Sequence, residues 1–287
     1  MGESMTSAAA QASACPVPSR RWFVLASGLA AAAGVLAGTS NAVAQSQQDL
    51  AKKLANPVAA LISVPFQFNW DQKIGPADDG TRYLLNVQPV VPVTLNDDWN
   101  LISRIIVPVV SQRHIFPGAG SQSGLGDTVQ SVFFSPKEPV DGLTWGTGPV
   151  LLLPTGTDTL LSGRKWGLGP TGVVLKQAGP WTYGALANHI WSVAGSNSRA
   201  DINATFVQPF VSYTTPDAVT YTLNTESTYD WEARQWSVPV NAVVSKVTKL
   251  GDQLVSFGGG VRYWADSPDA GAKGFGLRVA VTLLFPR

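Results

Sequence analysis

Gly167-Leu168-Gly169-Pro170-Thr171-Gly172 spells the glycine pattern of a dinucleotide-binding turn. Such a turn holds a pyrophosphate only where a strand leads in and a helix leads out. Here Val173-Val174-Leu175 follows as strand, and Trp145-Gly146-Thr147-Gly148-Pro149 repeats the order of Trp166-Gly167-Leu168-Gly169-Pro170. The glycines therefore read as an architectural repeat, and no cofactor is expected. His114 and His189 are the only histidines. Asn188 stands beside His189, but neighbours on a strand face opposite ways. No serine is placed to complete a nucleophile–base–orienter set, so His189 reads as a lumen or interface side chain. Asp78-Asp79-Gly80 lacks the further oxygen ligands of a calcium loop and reads as an exposed turn. No catalytic residue, metal site or enzymatic activity is expected.

The polar residues that remain are spaced for lining rather than for catalysis. Gln67, Asn86, Gln88, Arg104, Gln130, Glu226, Asn241, Arg262 and Arg278 fall on one phase of alternating stretches. Rings of such side chains set pore selectivity. Their mixed signs argue against a strongly ion-selective pore.

The elements that carry them follow from a period of two. In Leu61 to Asp71, Ile62, Val64, Phe66, Phe68 and Trp70 oppose Ser63, Pro65, Gln67, Asn69 and Asp71. Successive side chains on a strand point to opposite faces, so one face is apolar and the other polar. From Leu61 onward the chain offers twelve candidate strands, near 61–70, 82–94, 99–111, 125–134, 143–153, 166–177, 180–192, 201–214, 218–230, 235–247, 254–264 and 274–285. Connections after odd strands tend to be long and those after even strands short. An even number of strands of about ten residues, with long loops on one side and tight turns on the other, describes a bacterial outer-membrane barrel. The expected fold is all-β: a closed antiparallel transmembrane β-barrel of about 12 strands with periplasmic termini.

The tryptophans agree. Trp70, Trp166, Trp191, Trp231, Trp236 and Trp264 sit at the long-loop ends of strands, and Trp99, Trp145 and Trp181 at the short-turn ends. Indole prefers the membrane interface, where its N–H stays wet, so all nine are expected to form an interface girdle. Against this pattern stand Pro65, Pro89, Pro92, Pro108, Pro149, Pro170, Pro209 and Pro239, inside strand candidates. Proline gives no N–H to a ladder. Pro65, Pro92, Pro108 and Pro239 share the polar phase and are expected to mark bulges whose freed carbonyls face water, in a kinked wall suited to lateral exit.

Ahead of the strands, Arg20 and Arg21 precede an apolar run, and Ala42-Val43-Ala44 is a small-x-small cleavage site. Residues 1–44 read as a secretory signal peptide. The single cysteine, Cys15, lies inside it, so disulfides and thiolate chemistry are excluded from the mature chain. Residues 45–60 form an N-terminal periplasmic segment or plug, and 61–287 the barrel.

Several stretches resemble one bacterial outer-membrane family. They include Asn56-Pro57-Val58-Ala59, Leu95-Asn96-Asp97-Asp98-Trp99-Asn100, Gly124-Leu125-Gly126-Asp127, Phe133-Phe134-Ser135-Pro136-Lys137 and Gly258-Gly259-Gly260-Val261-Arg262-Tyr263-Trp264. The family is the one associated with the meta-pathway of phenol degradation, and it carries the label of transporter. The resemblance spans essentially the whole mature chain. It implies an outer-membrane channel for passive uptake of small molecules, aromatic or hydrophobic compounds among them. The alternatives are an outer-membrane enzyme acting on lipid, or a sealed structural barrel binding a partner through its loops. Expected partners are outer-membrane lipids, the barrel-assembly machinery and a small-molecule substrate. Nucleic acid is not expected, since no basic patch argues for it.

Overall fold

The computed structural model describes residues 47–286. The expected signal peptide, 1–44, lies outside the described residues. A helix over 47–54 leads into fifteen strands. They are β1 (Ile62–Ile74), β2 (Gly80–Val87), β3 (Val90–Thr94), β4 (Trp99–Arg113), β5 (Ser121–Leu125), β6 (Thr128–Pro136), β7 (Leu143–Leu153) and β8 (Lys165–Ala178). There follow β9 (Trp181–Gly195), β10 (Asn203–Thr214), β11 (Val219–Thr225), β12 (Ser227–Asp230), β13 (Gln235–Leu250), β14 (Gln253–Asp266) and β15 (Gly274–Phe285).

Every pairing is antiparallel, and each membrane crossing, split or whole, pairs with the crossings next to it in sequence. The exception is the pair that closes the sheet. β1 meets β15 in register from Ile62 opposite Phe285 to Trp70 opposite Leu277. The fifteen strands make twelve crossings, because three crossings are each split in two: β2 and β3, β5 and β6, β11 and β12. The result is a closed twelve-stranded barrel, and the alternation of the sequence sets its two faces. Phe66, Phe68, Tyr83, Val174, Leu223, Val244, Phe257 and Val279 stand exposed on the outer wall. Ser63, Asn69, Asp71, Gln112, Asn241, Arg262 and Arg278 are buried on the inner one.

The three splits share one feature. Opposite each lies a proline in an adjacent crossing, and the first split also holds Pro89 itself. Gln88 N–H donates to Pro65 O at 2.8 Å, Gly126 N–H to Pro108 O at 2.8 Å, and Glu226 N–H to Pro239 O at 3.2 Å. A proline accepts one ladder bond and returns none, so the pairing lapses there and resumes two or three residues on. This corrects the sequence expectation. The carbonyls of Pro65, Pro108 and Pro239 are bonded to backbone, not freed toward water. Pro239 falls at a register shift, between Val238 and Pro239, and Pro108 falls beside the extra residue of the second split, while Pro65 and Pro92 pair in register with Thr282 and Ile102. Pro149 and Pro170 face each other across β7 and β8.

Candidate functional site in the barrel lumen

Strand phase brings a set of charged side chains to the middle of the lumen. Glu226 occupies the split between β11 and β12, where the chain is free of the ladder on one side. Its carboxylate takes both arms of Arg278, from Nη1 at 2.8 Å and Nη2 at 2.7 Å, and Nη1 of Arg262 at 3.2 Å. The paired fork is the strong form of a carboxylate–guanidinium contact. Arg278 also donates Nε–H to Asn69 Oδ1 at 2.8 Å. Asp71 lies 3.2 Å from Arg262 Nε and accepts from Trp264 Nε1 at 2.8 Å, and the Arg262 guanidinium sits 4.8 Å above the Trp264 ring. Asn241 completes the girth, giving Nδ2–H to Asn224 Oδ1 at 2.8 Å.

Two further arginines border this cluster. Arg82, cross-strand from Asp71, donates to Gln112 Oε1 at 3.0 Å. Arg104 donates to Gln88 Oε1 at 2.9 Å. Gln88 stands at the first split and Glu226 at the third, so the lapses in pairing place polar side chains inward. The middle split serves a loop. Asp127 Oδ1 accepts from Gly156 N at 3.0 Å and Ser162 Oγ at 2.6 Å, and Asp127 Oδ2 from Gly163 N at 2.7 Å. These bonds tie down the 154–164 connection.

The lumen has two sectors. Opposite the charges, Ile102, Phe133, Val173, Leu175 and Leu186 form a buried apolar cluster, and Val58 of the N-terminal segment packs into it. Leu50 and Ala51 of the helix pack with Leu61, Ala218, Val247 and Leu284 at the end that carries both termini. Burial of Leu50 and Val58 contributes about 1.5–3 kcal/mol each. Asn56 Oδ1 accepts Val58 N–H at 2.9 Å, fixing the turn beyond the helix, and Gln177 Nε2 donates to Lys52 O at 3.0 Å. The segment thus packs inside that end of the barrel. Beside it lie a chamber of 240 Å³ bordered by Lys53, Asn56, Gln88, Arg104, Phe210 and Asn224, and one of 160 Å³ bordered by Gln67, Ser256, Arg278 and Thr282.

Of the polar residues predicted to line the lumen, Gln67, Asn86, Gln88, Arg104, Glu226, Asn241, Arg262 and Arg278 all lie on the inward phase. The charged network unites Glu226, Arg262 and Arg278, with Asn241 alongside. Gln130 does not join them. It pairs with Ile105 and donates to Ser103 Oγ at 2.8 Å on the outer face. The cause is the second split: Val107 and Pro108 face Gly126, Asp127 and Thr128, and the extra residue reverses the phase of β6.

Trp264 is likewise corrected. It shares the phase of Arg262 and points inward to Asp71, whereas Trp70, Trp99, Trp145, Trp166, Trp181, Trp191, Trp231 and Trp236 keep the outward phase near strand ends. Asn69, Asp71 and Arg82 were legible as polar members of inward phases and yet were not singled out. Asp127 stood out only as the end of Gly124-Leu125-Gly126-Asp127, with no role attached to its side chain.

His189 lies on the outer wall. Trp231 Nε1–H donates to Thr205 Oγ1 at 2.8 Å, and that hydroxyl lies 2.7 Å from His189 Nδ1. His189 borders a groove of 620 Å³ with Trp145, Pro170, Gly172, Ala185 and Ala187.

No protein-family model matches the chain, and no curated protein does. Among solved structures, an outer membrane channel from Pseudomonas putida F1 is similar with a TM-score of 0.62 at 14% identity, over 79% of this chain and 96% of that one. An outer membrane phospholipase from Salmonella typhi gives a TM-score of 0.43 at 10% identity, over 78% of this chain and 90% of that one. The first likeness is one of fold, and it places the architecture among bacterial outer-membrane barrels.

Proposed function

We propose that the protein resides in the bacterial outer membrane as a channel for passive uptake of small molecules. The observation that carries this reading is how the lumen is closed. Its terminal end is stopped by residues 47–60 packed inside the wall, not by a lumen filled throughout with apolar side chains. A polar inner wall with small chambers and a separable stopper is suited to passage. A barrel that served only as a scaffold has no need of either. The long loops then face the cell exterior and the termini the periplasm. The P. putida likeness supports the reading at the level of fold. The resemblance to the phenol meta-pathway family supports aromatic or hydrophobic compounds as substrates.

Single-channel conductance of the refolded mature protein in a planar bilayer tests it. Discrete steps are expected, and larger ones once residues 45–60 are deleted. Silence from both forms overturns the channel reading.

A lipid-acting enzyme is the second reading, and the hydrogen-bonded His189 on a lipid-facing groove is what favours it. The Thr205 hydroxyl is already engaged on both sides, which argues against its use as a nucleophile. Loss of hydrolysis of a lipid analogue in His189→Ala would favour the enzyme. No hydrolysis by the parent protein removes it.

A further inference from the structure

We infer that the 240 Å³ chamber between the N-terminal segment and Arg104 binds a small organic carboxylate. This deepens the channel reading, since it takes the chamber to lie on the path. The inference rests on what the chamber can offer a ligand. Arg104 borders it and gives one Nη2–H to Gln88. Among the described residues no carboxylate lies within ion-pair distance of Arg104. Glu226 already holds Arg262 and Arg278. Lys53 adds a second cationic side chain at the same chamber.

The amides there are polarised in one sense. Gln88 Oε1 is taken by a guanidinium, which only donates, and Asn56 Oδ1 by the backbone N–H of Val58. Each is left with its NH₂ group. Asn224 Oδ1 is taken by Asn241, which leaves a third. Guanidinium, ammonium and three amide NH₂ groups are donors; Gln208, Ser212 and Thr222 complete the polar lining and can accept as well, but the charged members are both cations, and their complement is an anion. A planar guanidinium suits a carboxylate best. The remaining wall includes Phe210 and Val90, which suits an apolar body on that carboxylate. The volume lies below the ~300–1,000 Å³ of drug-sized pockets, so the ligand is small.

Equilibrium dialysis of the refolded mature protein against labelled benzoate tests this, with benzyl alcohol and inorganic phosphate as competitors. Saturable benzoate binding is expected, with little displacement by either competitor at equal concentration. Arg104→Gln should lower the affinity about tenfold or more. Lys53→Gln should lower it as well, and it sits on the N-terminal segment, away from the strands whose pairing builds the wall. Three results overturn the inference: no saturable binding, displacement by the alcohol as effective as by benzoate itself, or equal displacement by phosphate. Conductance separates the two readings. Steps without benzoate binding remove the carboxylate site and leave the channel; binding without steps does the reverse.

Discussion

Glu226 is the residue on which the lumen network turns. It is one carboxylate held by two arginines, with side chains 20%, 8% and 4% exposed for Glu226, Arg262 and Arg278. Removing one partner of a buried set leaves the others uncompensated, at about 3–5 kcal/mol. Glu226→Gln should therefore lower the urea midpoint of the folded barrel, read by the shift from the heat-modifiable band on gels. If the channel reading holds, the same change should raise anion over cation permeability, read from reversal potentials. Near the barrel's long-loop rim a second ion pair behaves differently. The Lys165 ammonium at 2.8 Å and the Ser192 hydroxyl at 3.1 Å hold the Asp201 carboxyl below its ordinary range. A lowered folded value means that the contact stabilises above the ordinary carboxylate pKa and is lost as pH falls through the folded one. A spin label at Ser198 should stay ordered from neutral to mildly acidic pH and loosen only in stronger acid. Asp201→Asn should leave it loose throughout. Glu226, Arg262 and Arg278 were legible from strand phase alone, because a charge on an alternating strand has one tolerable face. Trp264 was misjudged because position near a strand end outweighed its phase. Gln130 was misjudged because the split at Gly126 and Asp127 leaves no trace in a hydrophobic count.

Among the elements, the crossing pattern was readable and its interruptions were not. Twelve candidate stretches mark twelve crossings, several of them by clean alternation, since polarity switches with every residue where one face meets lipid and the other does not. The prolines were visible too, but what they do depends on their neighbours across the ladder. Pro65, Pro108 and Pro239 interrupt the crossing beside them rather than their own, a relation between residues far apart in sequence. Glycines set a second constraint. A Cβ on Gly169 would run into the carbonyl of His189, and one on Gly148 into that of Val132. A Cβ on Gly259 meets nothing within 4 Å. Gly169→Ala should cut the yield of folded, heat-modifiable barrel severely, while Gly259→Ala folds like the parent. Equal yields would show that β8 and β9 can separate at that point without loss.

For the whole molecule, the barrel followed from periodicity, and the grouping of long connections at one end and short ones at the other followed from connection length. The N-terminal segment stood in sequence as either a foot or a plug, because eight residues of helix carry too little signal to show what they pack against. In the structure Val58 packs among Ile102 and Phe133, inside the wall. The closing seam carries a further consequence. β1 and β15 are the first and last strands made, and Asn69 pairs with Arg278 across them. Arg278 in turn reaches Glu226 from the opposite direction along the sheet. The ion cluster is therefore complete only when the two ends of the chain have met. Before that moment Arg262 and Arg278 share the single carboxylate of Glu226, and the second carboxylate, Asp71, arrives at Arg262 only with β1. Closure thus carries an electrostatic reward that a half-zipped sheet cannot collect.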